Sequence, residues 1–169
     1  MKKFIVCACL LASSVSFAQR PTATRSVASY GNKALSISLG MTSSALNIGG
    51  RMEFSNEQGA FGGYVFLQTE KKDAAVPQVL TFGGHSLIKL VDASNVNAYI
   101  APGIGISMIK MEGQDDVTAV GPSFRYGAQM KLGNVGGAIG IERLEVWNWF
   151  DSKSAASAAF TSAVYTFNF

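Results

Sequence analysis

The chain has 169 residues, of which 48% are hydrophobic and 15% charged, with 18 glycines and 4 prolines. Without Lys2 and Lys3 the chain has 12 basic and 11 acidic residues, so its net charge falls from +3 to +1. This excludes the strongly basic surface that nucleic-acid-binding proteins have. After residue 18 no apolar run approaches the roughly 20 residues of a membrane-spanning helix, although a closed barrel crosses a bilayer with about 9–11 residues per strand.

The N-terminus has the pattern of a secretory signal peptide. Two lysines precede a short apolar run and a small-x-small motif that ends at Ala18. We therefore expect residues 1–18 to be removed after Sec export, which leaves a chain long enough for one domain. Cys7 and Cys9 both lie in the removed segment, so the mature chain has no thiol for a disulfide, for catalysis or for a metal site.

The rest of the chain divides into a polar lead-in and a series of strands. Residues 19–33 show no period and contain a proline, and we interpret them as a flexible periplasmic segment. From residue 34 onward apolar and polar side chains alternate, which indicates strands with two different faces. Eight strands are predicted, at 34–41, 45–54, 60–70, 78–91, 96–111, 120–132, 135–149 and 157–169. Short turns follow strands two, four and six, and longer charged connections follow strands three, five and seven.

Three local irregularities are expected in this pattern. Pro102 lacks the N–H that a strand ladder uses, so we expect a β-bulge in strand five. Gly133-Asn134 is expected to form a two-residue hairpin turn. The alternation of strand seven falters at residues 142–144, which a bulge or a rise out of the membrane would explain.

The two faces of the strands differ in charge. Across strands one, two, four, five, six and eight the apolar face carries no charged residue, whereas the opposite face carries Lys, Arg and Glu among Gly, Ser, Thr and Asn. A charge on the lipid-facing side of a membrane barrel costs about 2–4 kcal/mol at mid-depth, while a water-soluble barrel has frequent charges on its outer face. The pattern favours a barrel whose apolar face meets lipid. In strand three we assign Phe61, Val65 and Leu67 to that face.

Aromatic residues are expected to form two girdles at the edges of the apolar band, where rings lie between lipid and headgroups. One edge would carry Phe54, Phe61, Phe167 and Phe169. The other would carry Trp147, Trp149 and Phe160.

The closing strand adds a resemblance to a known family. Tyr165, Phe167 and Phe169 alternate up to a C-terminal phenylalanine. This stretch resembles the final strand of Gram-negative outer-membrane β-barrel proteins, and the eight strands are similar to those of the OmpA transmembrane domain and OmpX-like proteins. The resemblance implies an all-β fold over residues 34–169, an eight-stranded antiparallel up-and-down transmembrane β-barrel in the cell outer membrane.

The resemblance also implies partners. The three closing aromatic residues would be the signal that the barrel-assembly machinery reads, with periplasmic chaperones acting earlier. Outer-membrane lipid and lipopolysaccharide would surround a monomer that binds neither nucleic acid nor a cofactor.

The inward-facing charged residues are the candidates for a site. An eight-stranded barrel has an interior just wide enough for side chains to fill, and buried charges need partners. We therefore predict a polar network that plugs the lumen, formed by Arg51, Glu53, His85, Lys89, Arg125, Lys131 and Glu142.

Catalysis is not expected. His85 is the only histidine, and Ser86 next to it points to the opposite face of the same strand, so the two residues cannot form a dyad. No second histidine is present for a metal site, and the glycines of 133–140 lie on a hairpin with no helix to hold a phosphate. The expected function is structural or surface interaction without enzymatic activity. A lipocalin-like soluble periplasmic ligand-binding barrel and a narrow pore stay open as alternatives.

Overall fold

The structure, a computed structural model, describes residues 33–41, 45–56, 59–70, 77–110, 115–133, 137–149 and 157–169. The predicted signal peptide and residues 19–32 of the predicted lead-in lie outside the described residues. The described chain forms eight strands: β1 (Lys33–Met41), β2 (Ala45–Asn56), β3 (Gly59–Glu70), β4 (Gln78–Asp92), β5 (Val96–Lys110), β6 (Val117–Lys131), β7 (Gly137–Trp147) and β8 (Ser157–Asn168).

The strands form a closed antiparallel barrel. Each strand pairs with its neighbours in chain order, and β1 also pairs with β8, which removes both sheet edges. The predicted all-β, eight-stranded antiparallel up-and-down barrel is confirmed. We call the end at which β1 begins and β8 finishes the terminus end, and the opposite end the loop end. The longer connections, 71–77, 111–116 and 148–156, all lie at the loop end, as predicted.

The side chains alternate across the barrel wall, and the apolar rows face outward. Ile104 is 55% exposed on β5, whereas Arg125 on β6 is fully buried inside. Strand β3 has the predicted orientation, with Phe61, Val65 and Leu67 outside. Most of the large apolar side chains of the described strands therefore lie on the outer surface, the reverse of a water-soluble barrel.

The expected bulge at Pro102 is absent. The pairs His85↔Gly103 and Ile88↔Ile100 keep the same register on both sides of this proline. A missing N–H removes one ladder hydrogen bond without requiring an extra residue, so the prediction was wrong. The register shift of this strand pair lies instead between Lys89 and Val91, near the terminus end.

Strand β7 has no bulge at residues 142–144 either. Its pairing with β6 and β8 is continuous through this segment. The alternation falters in the sequence because Arg143 and Glu145 face outward while Leu144 and Val146 face inward. In this half of β7 the polarity of the two faces is reversed, which is why the sequence pattern seemed irregular.

The β6–β7 connection is longer than the predicted two-residue turn. Strand β6 ends at Lys131 and β7 begins at Gly137, with the Leu132 amide donating to the Gly137 carbonyl over 2.9 Å. Gly133 has a φ of 55°, a left-handed conformation that favours glycine. The alternation of strand seven predicts that Val135 faces outward, and this residue lies outside the described residues.

One aromatic residue faces the opposite way from its prediction. Phe160, expected in the girdle at the loop end, is 2% exposed and packs inside against Phe66, with the ring centroids 5.3 Å apart. The parity of β8 explains this, because Tyr165 and Phe167 lie on the outer face and even-numbered residues point inward. Trp147 and Phe61 are exposed on the outer surface.

The interior has two layers of side chains. The charged layer consists of Arg51, Glu53, His85, Tyr99, Arg125 and Glu142. The apolar layer lies closer to the loop end and consists of Tyr64, Phe66, Val79, Ile109, Leu144, Val146, Ala158 and Phe160. Glycines make room for its rings, since a Cβ on Gly49 would lie 2.5 Å from the Phe66 ring.

Candidate functional site

The centre of the charged layer is an alternating ring of two arginines and two glutamates. The Arg51 Nε donates to Glu53 Oε1 over 3.1 Å, and its Nη1 contacts Glu142 Oε2. The Arg125 Nη2 contacts Glu53 Oε1, and its Nη1 lies 3.6 Å from Glu142 Oε2. Each cation therefore lies between both anions, and the ring, which we call the Arg–Glu ring, carries no net charge.

The Arg–Glu ring packs on Tyr99 of β5. The Tyr99 hydroxyl donates to Glu142 Oε2 over 2.9 Å. The Arg51 and Arg125 guanidinium carbons lie 5.6 and 5.3 Å from the centroid of its aromatic ring. Cations at this distance from an aromatic face are attracted to its quadrupole, so Tyr99 contacts both arginines by its ring and one glutamate by its hydroxyl.

Neutral side chains add hydrogen bonds to Glu142 and Arg51 of the ring. Ser38 of β1 donates to Glu142 Oε1. Thr166 of β8 lies 2.8 Å from Ser36 Oγ, accepts from Gln129 over 2.9 Å and is 3.5 Å from Arg51 Nη2. Buried polar groups need such partners, and here most strands of the barrel supply one.

His85 lies beside the ring. Its Nε2 is 3.2 Å from Glu53 Oε1 and 3.0 Å from Arg125 Nη2, and its imidazole stacks on Tyr64 with the centroids 5.8 Å apart. Ser86 points outward, so it does not meet His85. Within the described residues, no group of three His, Cys, Asp or Glu side chains is placed to hold a metal ion.

Lys89 and Lys131 lie apart from the charged layer, at the mouth of the barrel at the terminus end. Lys89 Nζ is 3.0 Å from Asp92 Oδ2, and Lys131 contacts Asp92 Oδ1 and the Ala93 carbonyl. The Lys89 side chain is 51% exposed. The prediction that they share one network with Arg51 is therefore corrected: the register shift after Lys89 brings Asp92 to the mouth, where it binds both lysines.

The mouth opens into a polar vestibule. This cavity has a volume of about 270 Å³ and is lined by the three mouth residues together with Lys33, Asn97 and Asn168. Arg51, Glu53 and Tyr99 also line it, so the Arg–Glu ring forms its floor. Beyond the ring, the apolar layer fills the barrel towards the loop end.

The predicted assembly residues lie together on the outer face of β8. The rings of Tyr165 and Phe167 meet edge to face with their centroids 4.4 Å apart. Phe169 is exposed, and its amide donates to the Lys33 carbonyl over 3.0 Å.

Sequence reasoning missed several residues that contact the predicted ones. The alternation of β5 predicts that Tyr99 faces the interior. Nothing in the sequence indicates that a tyrosine at this position contacts charged residues. Ser38 and Thr166 looked like small polar spacers. Asp92 belonged to a predicted turn, and only the register of β4 brings it to the mouth.

The comparisons with known proteins concern the fold. No protein-family model and no curated protein sequence matches this chain. The barrel is similar to the crystal structure of Neisserial surface protein A (NspA), with a TM-score of 0.61 over 81% of this chain and 94% of NspA. The sequence identity is 10%, so the similarity is one of fold alone. In the described residues, no helix combines the length and apolarity needed to cross a bilayer.

Proposed function

We propose that this chain is an integral outer-membrane β-barrel with a structural or surface-interaction role and no catalysis, and that its side chains plug the lumen. The observation that carries the proposal is the inverted barrel wall. Large apolar side chains such as Leu39, Val65 and Ile104 are exposed outside, while Arg51, Arg125 and Glu142 are buried inside. Such a surface is stable in contact with hydrocarbon, and in water it would be a large aggregation-prone patch.

Two features support a plugged lumen. The Arg–Glu ring joins residues of β2, β6 and β7 across the interior, and Tyr99, Ser38 and Thr166 fill the space around it. The apolar layer then occupies the loop-end half with close-packed rings. A conducting path would have to displace both layers.

The fold similarity to NspA supports a role at a surface. NspA is named as a surface protein, and its barrel covers most of this chain. The proposal of an OmpA- or OmpX-like role for this chain rests on the same eight-stranded architecture and on the closing aromatic residues, which we propose as the signal for the barrel-assembly machinery.

The ligand-binding alternative requires an interior cavity and a polar outer wall. The vestibule is small, polar and open at the mouth, and the apolar layer leaves the loop-end interior filled. Both features disfavour a lipocalin-like carrier.

A charge placed on the outer wall tests the proposal. For Ile104→Lys we expect a loss of about 2–4 kcal/mol of folding free energy, because the lysine would face hydrocarbon at depth. Leu132→Lys is the matched control: it lies just beyond the end of β6 at the membrane edge, where the cost is about 0–1 kcal/mol. Folded protein is measured by heat-modifiable gel mobility of the outer-membrane fraction. The proposal would be overturned if both variants folded equally well and were recovered in the soluble periplasmic fraction.

The same fractionation tests the assembly signal. Removal of Phe169 should lower the amount of folded barrel in the outer membrane, and unchanged amounts would contradict a signalling role.

Ion conductance tests the plug. In planar bilayers the purified barrel should not conduct ions. Steady single-channel currents would contradict a plugged lumen and would support the alternative of a narrow pore.

A further inference from the structure

The vestibule has a surplus of positive charge. Its charged lining side chains are four cations and two anions, namely Lys33, Lys89, Lys131 and Arg51 against Glu53 and Asp92. Arg51 and Glu53 belong to the neutral Arg–Glu ring, so the surplus comes from the mouth, where three lysines outnumber one aspartate. A polar cavity lined by excess cations attracts an anion.

Lys89 is placed to meet such an anion. Its side chain is 51% exposed at the mouth, and its ammonium group donates to Asp92 Oδ2 over 3.0 Å. An ammonium group has three N–H donors, so Lys89 can also donate to a group that enters the cavity. Asn97 and Asn168 add amide groups to the lining. The mouth therefore offers hydrogen bonds as well as charge.

The chain itself supplies no suitable anion from the segment before β1. Residues 19–32 contain Arg20 and Arg25 and no acidic residue, so this segment would bring like charges to the vestibule. The three longer connections at the loop end contain five acidic and three basic residues, but they belong to the opposite end of the barrel. Charge complementarity therefore selects an anion from outside the chain.

The cations of the vestibule favour phosphate over carboxylate. The two-pronged guanidinium of arginine matches a planar carboxylate, whereas lysine acts as a point charge and is a common phosphate ligand. Arg51 is 3% exposed and already contacts Glu53 and Glu142, so Lys33 and Lys89 are the cations open to a ligand. A phosphate monoester carries about −1.5 to −2 charges at pH 7, which matches the surplus at the mouth.

The cavity has the size and the access that a small phosphate needs. Its volume is about 270 Å³, and a water molecule in the liquid occupies about 30 Å³. The closed barrel wall separates the cavity from surrounding lipid, so a lipid headgroup cannot reach it from the side. In the proposed outer-membrane location the mouth faces the periplasm, because the short turns lie at this end.

We propose that the vestibule binds a soluble phosphate from the periplasm, either inorganic phosphate or a small phosphate monoester, with Lys89 as its principal ligand. Lys131 contacts Asp92 Oδ1 and the Ala93 carbonyl and adds its charge from the wall. The Arg–Glu ring closes the cavity below the ligand, so phosphate enters and leaves through the same mouth. This binding site goes beyond the structural or surface role proposed above.

Calorimetric titration of the purified, folded barrel in an uncharged maltoside detergent gives the first test. Inorganic phosphate and glycerol phosphate should bind with saturation, and acetate about tenfold or more weakly, because acetate has a single negative charge. Tighter binding of inorganic phosphate would assign the free ion, and tighter binding of glycerol phosphate would assign an ester. The proposal would be overturned by a lack of saturable phosphate binding, by equally tight acetate binding, or by clearly tighter binding of a short-chain phosphatidic acid, which would indicate a lipid headgroup.

Two lysine variants locate the site. Lys89→Gln should weaken phosphate binding about tenfold, because it removes a positive charge and its hydrogen bonds to the ligand. Lys110→Gln is the matched control: Lys110 also pairs with an aspartate, Asp116, over 3.5 Å, but at the loop end. Its loss should leave the affinity within about twofold, since charges this far apart are screened. Equal weakening by both variants, with heat-modifiable mobility showing that both are folded, would mean diffuse attraction and no site.

A neutral substitution separates the cavity from its charge. Ala60 lines the vestibule, so Ala60→Leu narrows the cavity while every charged group stays in place. Phosphate binding should weaken severalfold, and glycerol phosphate should lose more affinity than inorganic phosphate because it is larger. Unchanged binding of both ligands by the folded variant would place them outside the cavity and would contradict the proposal.

The two proposals fail in different ways. A folded barrel in the outer membrane that binds no phosphate would remove only the vestibule site. Recovery of the chain in the soluble fraction would remove the outer-membrane location, while the titrations of the folded protein would still decide whether the vestibule binds phosphate.

Discussion

The charged layer and the apolar layer close the same barrel by different physical means. In the charged layer, Arg51 and Arg125 each contact both Glu53 and Glu142, so every member depends on partners from other strands. In the apolar layer, Phe66, Leu144 and Phe160 fill space by shape, with no specific atom pairs. Burial is equally deep in both. The difference teaches that an inverted barrel wall does not require a polar interior throughout.

A second contrast separates two groups of ion pairs. The Arg–Glu ring is buried, whereas the lysines at the mouth contact Asp92 in partial contact with solvent. The residue types are similar, and only the surroundings differ. Because desolvation makes an unpartnered buried charge expensive, the same substitution should have very different effects in the two places.

The largest effect is expected from breaking the Arg–Glu ring. Glu142→Leu should lower the free energy of unfolding by about 3–5 kcal/mol, because it leaves two buried guanidinium groups with one carboxylate. The double variant Arg51→Met with Glu142→Leu should recover most of this loss, since it removes an ion pair and leaves apolar side chains of similar volume. Urea unfolding in lipid vesicles, followed by the fluorescence of the two tryptophans, measures both.

Failure of the second substitution to rescue the first would contradict the importance of charge balance. It would indicate that the shape of Glu142, or its bonds to Ser38 and Tyr99, matters more than its charge.

A somewhat smaller effect is expected in the apolar layer. Leu144→Ala should cost about 2–5 kcal/mol, because a fully buried side chain leaves a cavity among ring and aliphatic neighbours. No partner substitution in the Arg–Glu ring should rescue it. Ile141→Ala on the same strand is the control, and with Ile141 68% exposed on the outer wall its loss should be clearly smaller. Equal losses in the same unfolding assay would argue against a packed plug.

The smallest effect is expected at the mouth. Lys89→Ala should change the free energy of unfolding by less than about 1 kcal/mol, because the exposed Lys89–Asp92 pair is weak in water and screened by salt. The comparison is made in the same vesicles at low and high salt. A loss as large as that of Glu142→Leu would mean that the mouth is buried, and would remove the distinction between the two groups.

The sequence predicted the strands and their faces well because alternation has a period of two and each strand here is long. The outward rows of β1, β2 and β6 followed from side-chain type alone. The closed antiparallel barrel followed from the strand count and the turn lengths. Errors fell where one residue decides the geometry. Pro102 was assigned a bulge that it did not need, and Phe160 was assigned to a girdle although its parity placed it inside.

The candidate site was predicted only as a set of inward charges. Arg51, Glu53, His85, Arg125 and Glu142 do come together, but nothing in the chain indicated which charges would meet, since Arg51 and Glu142 are separated by 91 positions. Lys89 and Lys131 have the same inward parity and nevertheless lie at the mouth. The position of a residue in the alternation determines whether its side chain faces the lumen or the outside. Its depth along the barrel depends on the register between strands.

The sequence by itself determined that this protein forms eight two-faced strands with apolar side chains outside, because local alternation and turn residues are sufficient for that. The tertiary structure alone decided the Arg–Glu ring, the apolar layer and the reversed face of β7. Those features depend on the register of eight strands around a closed barrel. When the barrel closes, the register of all strand pairs is fixed together, and this determines which residues, distant in the sequence, lie at the same depth and contact one another.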